Sequence, residues 1–364
     1  MTASEPTSGP AVLYWMPMAT MSVVAVADVT AGPGVGFLPL VSLGPAFASL
    51  VGGWRRTVLI GVVALVLCVG LGLYNDLFDG RRGFTALASV AGVTGVGVVA
   101  SVMRARREAE LASVRSIAEA AQRVLLRPVP RTAGPLQVAV SYTSAVAEAR
   151  IGGDLYEVVA SPYGVRVIVG DVQGKGLAAV ETAAVVLGAF REAAHDEPDL
   201  VGLGERLERS VSREVEGEKF VTAVLAEIGS AGEAVMLSFG HPAPMVVRAD
   251  GTVSFPEPAS YALPLGLGAY EEEGPEPYRV DFTADDQMLL HTDGVTETRD
   301  SSGAFYPLAE RAHLLKDPDA GRALEAVRED LLRHADGPLH DDAAMLLLRY
   351  HGHGQPGGDR VPAV

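Results

Sequence analysis

The sequence predicts an α+β domain carried behind a group of membrane-spanning helices, and three observations predict it. Apolar, nearly uncharged stretches fill the first 103 residues, nine short β-patterned runs follow, and the helical runs after residue 176 come in pairs set apart from blocks of strands. Paired helices segregated from antiparallel strands mark an α+β architecture with two packed sheets and helices on their outer faces.

Charge divides the chain in the same way. Of the 364 residues, the first 103 hold four acids (Glu5, Asp28, Asp76, Asp79) and four bases (Arg55, Arg56, Arg81, Arg82), so the net charge of −16 belongs to the remainder. An acidic soluble part repels polyanions and excludes nucleic acid as the expected partner, whereas acidic loops suit divalent cations. The one cysteine, Cys68, excludes an intramolecular disulfide and a cysteine zinc cluster.

A membrane-crossing helix needs roughly 20 predominantly apolar residues. Four stretches approach that length, 12–29, 36–53, 57–74 and 84–103, and predict four transmembrane helices within a membrane region 1–103. The first has no basic segment before it and no cleavage pattern, so it reads as a retained span. Five arginines (Arg55, Arg56, Arg104, Arg106, Arg107) flank one side and two (Arg81, Arg82) the other, which puts both termini in the cytoplasm by the positive-inside tendency. The protein is thus expected in the cell membrane, in contact with lipid. Asp28, beside a Gly-Pro-Gly turn, reads as a solvated residue at the lipid boundary, which argues against a channel or transporter built on paired intramembrane charges.

Residues 104–129 form a linker with a helical pattern over 106–126. Leu111, Val114, Ala118, Ala121 and Leu125 recur at three and four, and Pro128 and Pro130 end the run. That seam serves either a homodimer through the linker helix or packing against the chain's own soluble domain.

The domain at 130–350 shows strand patterns at 137–142, 155–160, 165–169, 220–228, 234–239, 245–248, 278–282, 288–292 and 343–349. Its helical pairs are 177–194 with 200–215 and 309–316 with 320–333. The tail 351–364 lacks an apolar pattern and is expected to be disordered.

Carboxylates fall at the strand ends. Asp154 opens a strand, Asp171 closes one, Asp293 closes another, and Asp341 with Asp342 opens the last. Between antiparallel neighbours the end of one strand meets the start of the next, so all can converge on one edge. Gathered carboxylates without bases raise one another's pKa unless a divalent cation neutralises them. Oxygen-only donors point to hard ions, Mg²⁺ or Mn²⁺, and two such ions suit in-line phosphoryl displacement. Gly174-Lys175-Gly176 lacks the spacing of a phosphate loop and reads as a flexible turn before the helix at 177. His195, His241, His291 and His340 read as structural, His241 most plainly, in a hairpin turn.

Seven blocks in order then carry a resemblance: RIGGDLY at 150–156, GDVQGKG at 170–176, FVTA at 220–223, GHPAP at 240–244, PLGLG at 264–268, LHTDGVTE at 290–297 and DDAAM at 341–345. Together they resemble the bacterial branch of the type 2C metal-dependent serine/threonine protein phosphatases, the group around sporulation stage II protein E. The resemblance implies an αββα four-layer sandwich, two Mn²⁺ or Mg²⁺ ions, and hydrolysis of phosphoserine or phosphothreonine on a cytoplasmic phosphoprotein such as an anti-sigma factor antagonist. Carried over by position, Asp171 bridges both metals and the Val172 carbonyl completes one site. Asp154, Asp293 and Asp341 supply the other carboxylates, and Arg150 is a candidate substrate-binding residue. Asp342 is not counted among the ligands. Glu157 and Ala243 depart from the usual pattern without removing a ligand. The alternative is a catalytically silent, metal-binding pseudophosphatase that acts as a signalling scaffold, whose mark would be a lost carboxylate.

Overall fold

The computed structural model describes residues 11–31, 36–144, 152–214, 219–229, 232–270 and 274–351. Arg150 and the predicted disordered tail past His351 lie outside the described residues. His351 itself donates its N–H to the Pro135 carbonyl at 2.9 Å. The chain forms two compact units, Met1–Val114 and Arg115–Val364.

In the first unit, helices α1 (Ala11–Ala31), α2 (Leu43–Val51), α3 (Trp54–Tyr74) and α4 (Arg81–Leu125) follow one another, with a 3₁₀ turn at Leu38–Ser42 leading into α2. Three helices are long and apolar enough to cross a membrane: Leu13–Ala31, Trp54–Tyr74 and Arg81–Ser113. The expected span at 36–53 is shorter than predicted. Pro39 and Pro45 divide it into five 3₁₀ residues and nine α-helical ones, a rise of about 23 Å against a hydrocarbon core of about 30 Å.

Side-chain contacts give the directions of these helices. Arg56, at the start of α3, donates to the Tyr14 carbonyl and lies 3.5 Å over the Tyr14 ring, near the start of α1. Asn75, just past α3, donates to Asp28 near the end of α1 at 2.9 Å, so α1 and α3 run parallel. Arg104 of α4 donates to the Leu50 and Gly52 carbonyls at the end of α2, each at 2.7 Å. The short helix therefore returns between α1 and α3, and α4 runs back beside it. Gly61 of α3 meets α4 closely: a Cβ there would lie 2.1 Å from the Thr94 side chain, the small-residue approach common between membrane helices. Asp28 is not the solvated boundary residue expected. It is buried, because Asn75 reaches back to it from the far end of α3.

In the second unit, β1 (Thr132–Ala133), β2 (Leu136–Thr143), β3 (Leu155–Ser161) and β4 (Gly164–Val172) precede α5 (Leu177–Asp196) and α6 (Leu200–Glu214). Then come β5 (Val221–Ile228), β6 (Glu233–Phe239), β7 (Met245–Val247), β8 (Val253–Ser254), β9 (Tyr278–Asp281), β10 (Gln287–His291), the single turn α7 (Asp293–Thr296), α8 (Ala320–His334) and β11 (Ala343–Tyr350). One antiparallel sheet has the order β1-β2-β11-β10-β7-β8 and the other β3-β4-β5-β6-β9.

Alternation along the strands builds the layers. In β4, Val165, Val167 and Val169 enter the core between the sheets while Ile168 and Val172 face α5 and α6. In β11, Ala344, Leu346 and Leu348 enter the same core, and Ala343, Met345 and Leu347 face α8. The result is the αββα sandwich. The segment predicted as a helix at 309–316 is a 3₁₀ helix, Leu308–Lys316, confined between Pro307 and Pro318.

The last turns of α4 belong to this unit. Ala121 and Leu125 pack against Val180 of α5, and Arg191 of α5 donates to the Leu125 carbonyl at 2.8 Å. Of the two uses open to the linker seam, packing on the soluble domain is the one seen at its end.

Candidate metal centre

Register assembles the acidic edge. Leu155 pairs with Gly170 across β3 and β4, so Asp154, one residue earlier, comes opposite Asp171. In the other sheet His291 pairs with Met345, and the Thr292 N–H donates to the Ala344 carbonyl at 3.1 Å, so Asp293 comes beside Asp341 and Asp342. Thr292 then ties the two sheets: its hydroxyl donates to Asp154 Oδ2 at 2.8 Å and accepts the Ala344 N–H at 3.0 Å.

Glycines make the approach close enough. A Cβ on Gly153 would stand 2.4 Å from the Val172 carbonyl oxygen and 2.9 Å from Asp171 Oδ1. The Val172 backbone and the Asp171 carboxylate thus pack directly against residue 153, an approach that only glycine allows. A Cβ on Gly294 would stand 1.8 Å from the Asp342 carbonyl oxygen, so the turn after β10 needs glycine as well.

The four predicted carboxylates, Asp154, Asp171, Asp293 and Asp341, are brought together, with the Val172 carbonyl beside Asp171. Burial, and then the neighbouring Asp171 charge, holds Asp154 well above the ordinary carboxylate range. Burial, followed by the charges of Asp293 and Asp341, pushes Asp171 up to about 7. Asp293 is raised by burial and then by Glu297 and Asp341. Asp341 is exposed and pairs with Lys175, Nζ to Oδ1 at 2.7 Å. Asp342 is buried and turned away from that pair: it accepts the Tyr142 hydroxyl, and Ser144 Oγ stands at 3.3 Å. Burial, and then the Asp342 charge and hydrogen bond, raise the Tyr142 phenol far above its ordinary value, so it stays a donor.

Among the described residues, no group of three or more His, Cys, Asp or Glu side chains is arranged as a shell around one ion. Such a shell is not what a Mg²⁺-type ion requires, since it takes one or two carboxylates and keeps several waters. The all-oxygen donor set and the crowding of Asp154 and Asp171, both raised by burial and then by neighbouring carboxylates, fit hard divalent ions.

Several contributors are not marked in the sequence. Gln122, near the end of α4, donates to Tyr142 Oη at 2.8 Å and lies 3.4 Å from the Gly152 carbonyl. Its one signal is a buried amide beside the apolar seam. Glu157 serves as a tie to α5, with Arg191 Nε donating to it at 2.6 Å. His241 is structural, as expected, but it lies in the crossover from β6 to β7 of the other sheet and not in a hairpin turn. A carbonyl can only accept, so Nε2 donates to the His291 oxygen at 3.1 Å and Nδ1 accepts from Thr222 at 3.1 Å. Burial pushes its pKa down to about 3, so the ring is a neutral link between β5 and β10.

Comparison with known proteins agrees with this geometry. Phosphoserine phosphatase RsbU of Bacillus subtilis (strain 168) is 26% identical over 210 residues, which cover 55% of this chain and 60% of that protein. The chain thus spans less than two thirds of that relative's length. The structure of the RsbU and RsbW domains of Rv1364c from Mycobacterium tuberculosis matches with a TM-score of 0.50 at 26% identity over 60% of each chain. The SiaA-PP2C domain of Pseudomonas aeruginosa shares the fold, with a TM-score of 0.55 at 17% identity over 68% of this chain and 99% of that one. The family model for Stage II sporulation protein E (SpoIIE) matches residues 161–351, more than half of the sequence, including Asp171, Asp293 and Asp341 at the acidic edge. The chain belongs to the SpoIIE family.

Proposed function

We propose that the chain is a membrane-anchored, Mn²⁺- or Mg²⁺-dependent protein phosphatase that removes phosphate from phosphoserine or phosphothreonine on a cytoplasmic protein. The observation that carries this reading is the gathering of Asp154, Asp171, Asp293 and Asp341 at one edge, with Asp154 and Asp171 held well above their ordinary pKa values. The name of the relative RsbU, a phosphoserine phosphatase, supports the same substrate class.

Divalent ions bound at such an edge would supply the Lewis acidity that activates water and offsets phosphoryl charge. Asp171 and the Val172 carbonyl would hold the ions together with Asp154, Asp293 and Asp341, directly or through water. Thr292 orients Asp154 through its 2.8 Å hydrogen bond. His241, neutral and tied on both nitrogens, supplies no proton. Arg150 is the proposed contact to the substrate phosphate.

The membrane reading rests on the three apolar helices and on the side-chain contacts of the first unit. Arg56 near Tyr14, and Arg104 on the end of α2, gather the arginine-rich segments at one end of the bundle, away from Arg81 and Arg82. By the positive-inside tendency that end faces the cytoplasm, and the chain past Arg107 leaves the membrane there. With α2 crossing as the short fourth pass, both termini lie on this side. Homodimerisation belongs to the stretch before Ala121, where Leu111 is exposed.

The test is hydrolysis of p-nitrophenyl phosphate by the full chain in detergent, with Mn²⁺, with Mg²⁺ and with chelator. Metal-dependent turnover that falls at least about 100-fold in Asp171→Asn is expected, since even residues that only orient a ligand contribute 10–100-fold. Metal binding without turnover in the native chain would instead favour a scaffold.

A further inference from the structure

We propose that Lys175 is an exchangeable counter-ion: it neutralises Asp341 while the edge holds no metal, and turns to the phosphoryl oxygens of the substrate once an ion takes Asp341. This rests on the metal-dependent phosphatase reading and adds to it a substrate-binding residue that the family-derived assignment does not contain. Among the described residues, Lys175 is the one basic side chain paired with Asp341, at 2.7 Å. Its charge also bears on Asp293, where it partly offsets the repulsion of Glu297 and Asp341.

The mounting of Lys175 suits exchange. It stands between Gly174 (φ +97°) and Gly176 (φ +88°), and a Cβ on either glycine would meet nothing within 4 Å. Glycine is therefore required for the left-handed backbone and not for space. The turn lifts the lysine clear of its surroundings, three residues after the Val172 carbonyl and just before α5. The pair is half open to water, with side-chain exposures of 32% for Lys175 and 55% for Asp341. An exposed Lys–Asp pair is worth little, and the lysine's flexible stem lets the ammonium move as a point charge. A divalent ion therefore displaces it readily. Once displaced, the ammonium remains tethered at the edge where a phosphate dianion would arrive, with its former partner neutralised.

The experiment compares the native full chain with Lys175→Met, which keeps the aliphatic stem, and Lys175→Arg, which keeps the charge. Mn²⁺ affinity is read from the electron paramagnetic resonance of the free ion, and phosphate affinity from competitive inhibition by inorganic phosphate. Lys175→Met should tighten Mn²⁺ binding about twofold to fivefold, the range expected for removing an exposed pair, and should weaken phosphate inhibition by at least as much. Lys175→Arg should return both toward native values. Unchanged Mn²⁺ affinity or unchanged phosphate inhibition in Lys175→Met overturns the proposal and leaves the metal centre standing. A native chain that binds no Mn²⁺, or an Asp171→Asn variant that binds it as tightly as the native chain, overturns the metal centre and the lysine's role with it.

Discussion

Asp154 and Asp286 are buried to nearly the same degree, 3% and 2% exposed, at opposite ends of the strands that form the sandwich. Burial alone raises a carboxyl pKa, and at Asp154 nothing outweighs it: one hydroxyl, from Thr292, faces the charges of Asp171, Asp342 and Asp293. Asp286 also meets that penalty, yet it sits below the ordinary range because donors surround it. The Thr283 N–H donates at 2.9 Å, the Ala249 N–H at 3.0 Å, Arg248 at 3.0 Å and the Thr283 hydroxyl at 3.0 Å. A buried carboxylate with its own donors is a structural joint, here tying the β9–β10 turn to the β7–β8 turn. A buried carboxylate among other carboxylates is a place for a cation.

Replacing each with asparagine should separate the two roles, and this carries the largest expected effect. Asp154→Asn should lower phosphatase turnover by about 100-fold or more, while its melting midpoint in chelator stays at or above the native one, because a buried carboxyl crowded by other carboxylates gives way to a group that cannot ionise. Asp286→Asn should cost about 2–3 kcal/mol of stability, because several donors lose an ionised acceptor. Its turnover per folded molecule should stay near native. If the Asp154 variant melted lower and kept its turnover, the comparison would be reversed.

A second way to sharpen the comparison is pH. A carboxyl whose folded pKa is raised binds protons more tightly in the folded state, so its contribution to stability falls as pH rises above its unfolded pKa. For Asp171 that loss runs from near 3.8 up to about 7. In chelator the melting midpoint should therefore decline across this window. Mn²⁺, or the Asp171→Asn substitution, should flatten the decline. Asp286 has the opposite sign: its folded pKa is depressed, so its contribution is present above 3.8 and is lost as pH falls through the folded value. Asp286→Asn should remove stability at neutral pH and reduce the loss seen in acid. A midpoint in chelator that is level between pH 4 and 7 would show that the edge carboxylates do not repel one another as described.

The difference between the two aspartates also explains what was legible in the sequence. Position at a strand end is a local property, so Asp154, Asp171, Asp293 and Asp341 could be picked out one by one, and nine strands were found with their ends displaced by three residues at most. Two-residue strands such as β1 and β8 have no period to detect. The second membrane stretch was legible as apolar, but its length as a helix was set by Pro39 and Pro45. Donors are not local. Thr292 reaches Asp154 across 138 residues, and Tyr142 reaches Asp342 across 200. Only the closed sandwich shows that Asp286 is satisfied and Asp154 is not. The same holds for Lys175, which looks like part of a turn until β11 delivers Asp341 beside it.

The smallest effect belongs to the one carboxylate at the edge that resembles Asp286. Asp342 accepts from Tyr142, which in turn accepts from Gln122 near the end of α4. Tyr142→Phe removes one donor from Asp342 and leaves the Gln122 amide without its 2.8 Å acceptor, while the ring's packing is kept. The expected cost is about 1–2 kcal/mol of stability. Since Asp342 adjoins Asp341, a modest weakening of Mn²⁺ binding, up to about tenfold, should accompany it, as for other residues that orient a ligand. If Tyr142→Phe lost stability and kept native Mn²⁺ affinity, Asp342 would be a joint like Asp286. If both changed and Gln122→Ala reproduced the loss of Mn²⁺ affinity, the bonds from Gln122 through Tyr142 to Asp342 would connect the end of the linker helix to the metal centre.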